Sequence, residues 1–137
     1  SMRRAYLVLA SAGLFGLIVG CGQSADADGA QGSAVSSAPS AEAVAEATAL
    51  FKNECAACHG VNGTGDGPGA VALDPKPRNF HLKDWQASVT DVQIAKTIQY
   101  GGAAVGKSPT MPAHPQLAEK QDVIQALVAH VRSLKDN

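Results

Sequence analysis

Cys55-Ala56-Ala57-Cys58-His59 is the stretch that decides how the rest of this chain reads. Two thiols three residues apart, followed at once by an imidazole, form the pattern through which a c-type haem is attached. Each thiol adds to one vinyl group of a porphyrin, and the adjacent imidazole reaches the iron from one side. One turn of backbone thereby fixes both position and proximal ligand. The expected cofactor is one covalent haem c, held by Cys55 and Cys58 with His59 on the metal.

Two other uses of cysteine fit less well. A structural zinc site needs four ligands, as a rule in two separated pairs, but the only other cysteine is Cys21, and His81, His114 and His130 are scattered. A thioredoxin-type redox pair belongs beside a βαβ pattern, whereas Cys55 follows an Ala-rich helical stretch with no strand legible before it.

At 137 residues the chain allows one small domain, and its first forty residues do not read as part of it. The folded part is expected over residues 41–137. Aromatic residues make up only 4% of the chain; Phe51, Phe80, Trp85 and Tyr100 fall inside that span, so the peptide alone has little large apolar surface to bury. A buried haem supplies the missing core, and the apo-protein is expected to be poorly folded. Nine Lys and Arg face ten Asp and Glu within 41–137, and the whole chain carries −1. Such a balance gives no reason to expect nucleic acid as a partner, and no motif points to a small-molecule substrate.

The N-terminal segment has its own logic. Arg3 and Arg4 lead into an apolar run from Ala5 to Val19, a charged region followed by a hydrophobic one, as in an export signal. About fifteen residues fall short of the roughly 20 that span a bilayer. The run ends in Ile18-Val19-Gly20-Cys21, which resembles a bacterial lipobox. The expectation is a signal over residues 1–20, cut before Cys21, whose thiol carries lipid and tethers the protein to a membrane on the periplasmic side of a bacterial cell envelope. Gly22, not Asp, follows the cysteine and tilts the sorting towards the outer membrane. The competing readings are an uncleaved anchor or an ordinary signal with an incidental cysteine. Residues 21–40 are poor in large apolar groups and cannot bury enough surface to offset their ordering. They read as a flexible linker.

Within the domain, a first helix is expected from near Ser40, with Val44, Ala47, Leu50 and Phe51 on one face. After His59 the run Gly60 to Gly69 is too dense in glycine for helix or strand and is expected to wrap the haem edge. Asp74-Pro75-Lys76-Pro77-Arg78-Asn79-Phe80 reads as extended, because residues before proline avoid the α region. Lys76 or Arg78 is a candidate to pair with a haem propionate, and Trp85 to donate its indole N–H to the same group; the plainer alternative is a solvated loop with Trp85 in the core. Thr90-Asp91-Val92-Gln93 has the capping-box pattern and opens a helix that ends at Gly101-Gly102. A last helix is expected from about Glu119 to Leu134, with Val123, Leu127, Val131 and Leu134 on one stripe and Ile124 and Val128 beside it.

Met111 is the candidate for the second axial position. Apart from Met2 it is the only methionine, and it stands in a loop with Pro109 and Pro112 rather than on a helical apolar stripe. Flanking prolines remove backbone freedom and help hold a weak thioether ligand in place. The rival is His114, which would lower the reduction potential relative to a His/Met pair; an open sixth position is the third option.

In order, Phe51, Cys55 to Gly60, Gly65-Asp66-Gly67-Pro68, Met111-Pro112 and Val128 to Leu134 resemble the bacterial class I c-type cytochromes over residues 41–137. That resemblance implies an all-α fold of helices and long irregular loops around one haem, and a one-electron carrier between redox proteins rather than an enzyme. It implies a close crossing of first and last helices, with Ala47 and Phe51 on one side. His130 falls where an aromatic is usual, so a looser crossing is expected, and Ala118 falls where a capping residue is usual. A proline carbonyl, Pro68 or else Pro75, is implied as the acceptor for the ring N–H of His59. The alternative functions are a five-coordinate haem sensor, a small peroxidase, or a haem subunit of a larger oxidoreductase.

Overall fold

The computed structural model describes residues 38–135. The expectations for the export signal, for Cys21 and for nearly all of the linker lie outside the described residues. Among the described residues every regular element is helical.

Helix α1 spans Ala41–Leu50. Its start is set by Ser40, whose extended backbone turns the hydroxyl to accept from the N–H of Ala43, satisfying a donor that no intrahelical carbonyl reaches. The helix does not stop at Leu50. Phe51–Cys55 wind as a π-helix, with the N–H of Ala56 bonded to the carbonyl of Phe51, and α2, Ala56–His59, completes the run. A π turn holds one residue more than an α turn. The buried series Ala43, Ala47, Phe51 therefore continues at Ala56, and Cys55 is left only partly covered.

Beyond Gly60 the chain runs irregularly to α3, Lys83–Ser88, interrupted by one 3₁₀ turn at Pro68–Ala70. No residue pattern along the chain marks this helix. The helix is short, and it is held by tertiary bonds: Gln86, 5% exposed, donates to the carbonyls of Phe80 at 2.7 Å and Val131 at 2.9 Å. Arg132 reciprocates, giving its guanidinium to Gln86 Oε1, to the carbonyls of Gln86 and Val89, and to Asp91.

The expected capping box is present at α4, Asp91–Ala104, with Thr90 and Gln93 exchanging bonds. The helix breaks at Gly101 (φ 77°) and closes with a further turn. Helix α5 covers Gln121–Ser133. It starts two residues later than expected, and Lys120, not Ala118, holds the N-cap position, with no side-chain cap bond. What fixes this end is tertiary: Lys120 bonds Glu46 at 2.6 Å, and the N–H of Ser40 donates to Asp122.

The expected stripe of α5 is the core. Val123, Ile124, Leu127, Val128, Val131 and Leu134 are buried together with Ala43, Ala47 and Phe51, and α1 packs most extensively on α5. His130 does not loosen this crossing. Its ring stands edge-on to Phe51, centroids 4.3 Å apart at 63°, in the geometry favoured by ring quadrupoles. The cost is one buried ring nitrogen, Nε2, without a partner.

Candidate haem-attachment site

Cys55 and Cys58 are both free and partly exposed. Burial, then the neighbouring Glu54 carboxylate, then Cys58 push the Cys55 thiol up to about 11. It stays protonated at neutral pH, and a thiol in that state is a poor nucleophile for oxidation to a disulfide.

His59 ends α2, and its ring is fixed from two sides. Phe80 stacks on it with centroids 4.6 Å apart at 16°. Nδ1 lies 3.2 Å from the backbone carbonyl oxygen of Arg78. A carbonyl only accepts, so Nδ1 is the N–H, and the lone pair of the neutral ring is on Nε2, free to bind a metal. Burial pushes the His59 pKa below its usual 6.5, an effect opposed by the Arg78 bond. The neutral, metal-binding form is the one the site favours.

The acceptor corrects the expectation that placed Pro68 or Pro75 in this role. Pro68 opens the 3₁₀ turn against the back of the motif instead. The N–H of Gly67 donates to the Cys58 carbonyl at 3.1 Å, and that of Gly65 to the His59 carbonyl at 2.7 Å. Side chains are excluded here: a Cβ on Gly67 would stand 2.5 Å from the carbonyls of Ala56 and Ala57. The glycine-rich loop thus backs the thiol-bearing turn and leads the chain to Arg78.

The three residues considered for propionate contacts are not equivalent. Lys76 Nζ donates to the carbonyls of Ala70 at 2.9 Å and Val71 at 2.7 Å; it closes its own loop. Arg78 places its guanidinium 5.9 Å from the Trp85 ring centroid, and Trp85 in turn leans on Phe80 at 5.5 Å. Arg78 and Trp85 are thus joined to the ring that stacks on His59. Lys76 and Arg78 line one open groove with Val71 and Leu82.

The Met111 segment docks on the break in α4. The N–H of Gly102 donates to the Met111 carbonyl at 3.0 Å, and that of His114 to Gln99 at 3.1 Å. His114 itself is buried, 8% exposed, with Nδ1 3.4 Å from Glu54 and 3.2 Å from the Gln116 amide. His81 belongs to the opposite loop and bonds the Asn62 carbonyl at 2.6 Å.

The donor set fits haem c: two reduced thiols on one turn, an adjacent imidazole with a free Nε2, and exposed apolar groups at Val61, Val71 and Leu82 beside the glycine-rich loop. Among the described residues no group of three His, Cys, Asp or Glu side chains is placed to hold a metal ion together. The missed features, the Arg78 carbonyl and the Glu54–His114 contact, involve a main-chain atom and a long-range pair, and neither leaves a mark in local residue pattern.

The family match agrees with this chemistry. The family described as Cytochrome c matches residues 44–135. A solved structure, the KustC0563 c-type cytochrome, is 30% identical, with 66% of this chain and 98% of that chain covered and a TM-score of 0.48. No curated protein matches.

Proposed function

Because the chain belongs to the cytochrome c family, and so carries covalently bound haem c and serves haem-based electron transfer, we propose a one-electron carrier with His59 and Met111 as axial ligands, anchored through lipid on Cys21. The observation that carries the reading is the fixed tautomer of His59, whose Nδ1–H is committed to the Arg78 carbonyl. A hydrogen-bonded imidazole is held in orientation and made more basic towards metal.

Bound haem c supplies a ferric/ferrous couple, one electron in and one electron out. The chain's own residues do the rest. Cys55 and Cys58 would hold the group by thioether bonds, and His59 would ligate it through Nε2. Phe80 covers one face of the His59 ring, and Trp85 packs against Phe80. Met111, whose carbonyl accepts from Gly102, would supply a neutral sulfur ligand; together with a neutral imidazole, such a ligand favours ferrous iron and raises the potential. With both His59 and Met111 given to the iron, no ligand position would remain for a substrate, which is why the proposal is a carrier and not an enzyme. Its partners are redox proteins, as donor and acceptor, at the periplasmic face of a bacterial membrane, with the outer membrane favoured by Gly22. Support for the anchor comes from the Ile18-Val19-Gly20-Cys21 pattern. Among the described residues no helix is long and apolar enough to cross a membrane.

The test of the anchor is metabolic labelling with a tagged fatty acid in a bacterial host. Label on the wild-type protein that disappears in Cys21→Ser, with release of the domain from membranes, is the expected result. Unlabelled wild-type protein would end the lipoprotein reading.

A further inference from the structure

The packed face of the first helical run changes step at the thiol motif. Ala43, Ala47 and Phe51 follow one another at four-residue spacing and are all buried. In an uninterrupted α-helix the next place on that face falls to residue 55, and Cys55 would point into the core. The π turn over Phe51–Cys55 holds one residue more. The place passes to Ala56, which is 5% exposed and belongs to the same buried cluster as Phe51, Leu127 and Val131. Cys55 is turned out of it by about 100°, one residue step of the helix. Ala56 also opens α2, the turn that ends in His59. Its carbonyl accepts from the N–H of Gly60 at 2.9 Å, and Gly67 lies so close that a Cβ there would stand 2.5 Å from the same oxygen. The turn is thus held between the core and the glycine-rich loop. Ala57, the other residue between the thiols, is exposed.

We propose that Ala56 is a positioning residue: its small side chain, brought into the core by the π turn, seats the thiol-bearing turn and so holds His59 on the Arg78 carbonyl. This role rests on the reading of His59 as iron ligand, with haem held at Cys55 and Cys58. The two residues between the cysteines are then not interchangeable. What the seat requires is a small residue five places beyond Phe51 across a π turn, or four places beyond it in an α-helix. The π turn is a means to that register and not itself the requirement. Interiors are packed to crystal density, so a longer side chain at position 56 displaces the turn. It carries His59 away from an acceptor that lies nineteen residues downstream, on a separate segment.

The experiment follows, by NMR of the ferrous holoprotein, exchange of the His59 Nδ1 proton with heavy water. Ala56→Leu should speed exchange about tenfold or more, the effect of a moderate overpacking strain. Ala57→Leu adds the same bulk at an exposed position and should stay within about twofold of wild type. Where the leucine variant at 56 yields no holoprotein, Ala56→Val adds less volume and should speed exchange about threefold or more. Deletion of Asn53, an exposed residue of the π turn, puts Ala56 four places beyond Phe51 in a plain α-helix and should leave exchange close to wild type. Equal effects at positions 56 and 57, or a deletion of Asn53 that speeds exchange as much as the larger side chain does, would overturn the role of Ala56 while leaving His59 as ligand. A wild-type holoprotein whose His59 ring protons lack the ring-current shift of an iron-bound imidazole would overturn both.

Discussion

His59 Nδ1 lies 3.2 Å from the backbone carbonyl oxygen of Arg78, nineteen residues downstream. The imidazole of His59 is therefore oriented by main chain, and the side chain at position 78 is secondary to it. What places that carbonyl is Gly65, which has φ +81° and lies against Pro77 and Arg78 so closely that a Cβ would overlap the Pro77 carbonyl.

Gly65→Ala should consequently destabilise the holoprotein by more than about 2 kcal/mol, since a left-handed alanine and a backbone clash add. Arg78→Gln should cost about 1 kcal/mol or less, the value of an exposed cation–π contact. Thermal unfolding of the two variants gives the comparison. Equal losses would show that the Arg78 side chain, not its carbonyl, matters.

Position 130 offers a change in the opposite direction. His130 buries Nε2 without a partner, and burial holds its pKa below the usual 6.5. The unfolded chain therefore takes up this proton first as pH falls. Stability is fully present above about 6.5 and declines below it, until the folded ring is also protonated. His130→Phe keeps the edge contact with Phe51 and removes the orphan nitrogen. It should raise the midpoint by about 4–8 °C, for a gain of about 1 kcal/mol, with a larger gain at pH 5.5 than at pH 7.5. An identical gain at both values would remove His130 from the account of acid sensitivity.

A polar network ties α3 to the last helix. Arg132→Ala strips three acceptors around buried Gln86 of their donor and should cost about 3 kcal/mol. Asp91→Asn touches the same guanidinium at a site where the carboxylate side chain is 69% exposed and should cost below about 1 kcal/mol. Chemical denaturation resolves the difference.

Gly102 governs the seat of the Met111 loop. A Cβ there would overlap the carbonyl of Ser108 and meet Met111 Cβ at 3.4 Å, so Gly102→Ala should push out the loop that carries the sulfur. The expected signs are a weakened methionine-to-iron band and a lower reduction potential, measured by spectroelectrochemistry. An unchanged band would place the loop's hold on Met111 elsewhere.

Much of this was legible along the chain because the signals were local. The thiol–imidazole spacing, the Ser40 cap, the Thr90 capping box and the α5 stripe each depend on residues within a few positions of one another, and the helical fold follows from them. The parts that were not legible depend on distance. The π turn at Phe51–Cys55 carries no residue signature, and the start of α5 is set by bonds to Glu46 and Ser40 across the fold. Helix α3 exists because Gln86 finds Val131, 45 residues away. The acceptor for His59 is a backbone oxygen, which any residue type supplies, so the expectation of a proline points to Pro68 and not to Arg78. Lys76 is a lysine whose charge meets nearby carbonyls rather than a remote anion.

The central claim, a six-coordinate carrier, comes down to one spectrum. Ferric wild-type holoprotein should show the long-wavelength methionine-to-iron band, Met111→Leu should lack it, and ferrous wild-type protein should bind carbon monoxide slowly. A wild-type spectrum without that band, together with rapid carbon monoxide binding, would contradict the account and leave a five-coordinate sensor or peroxidase in its place.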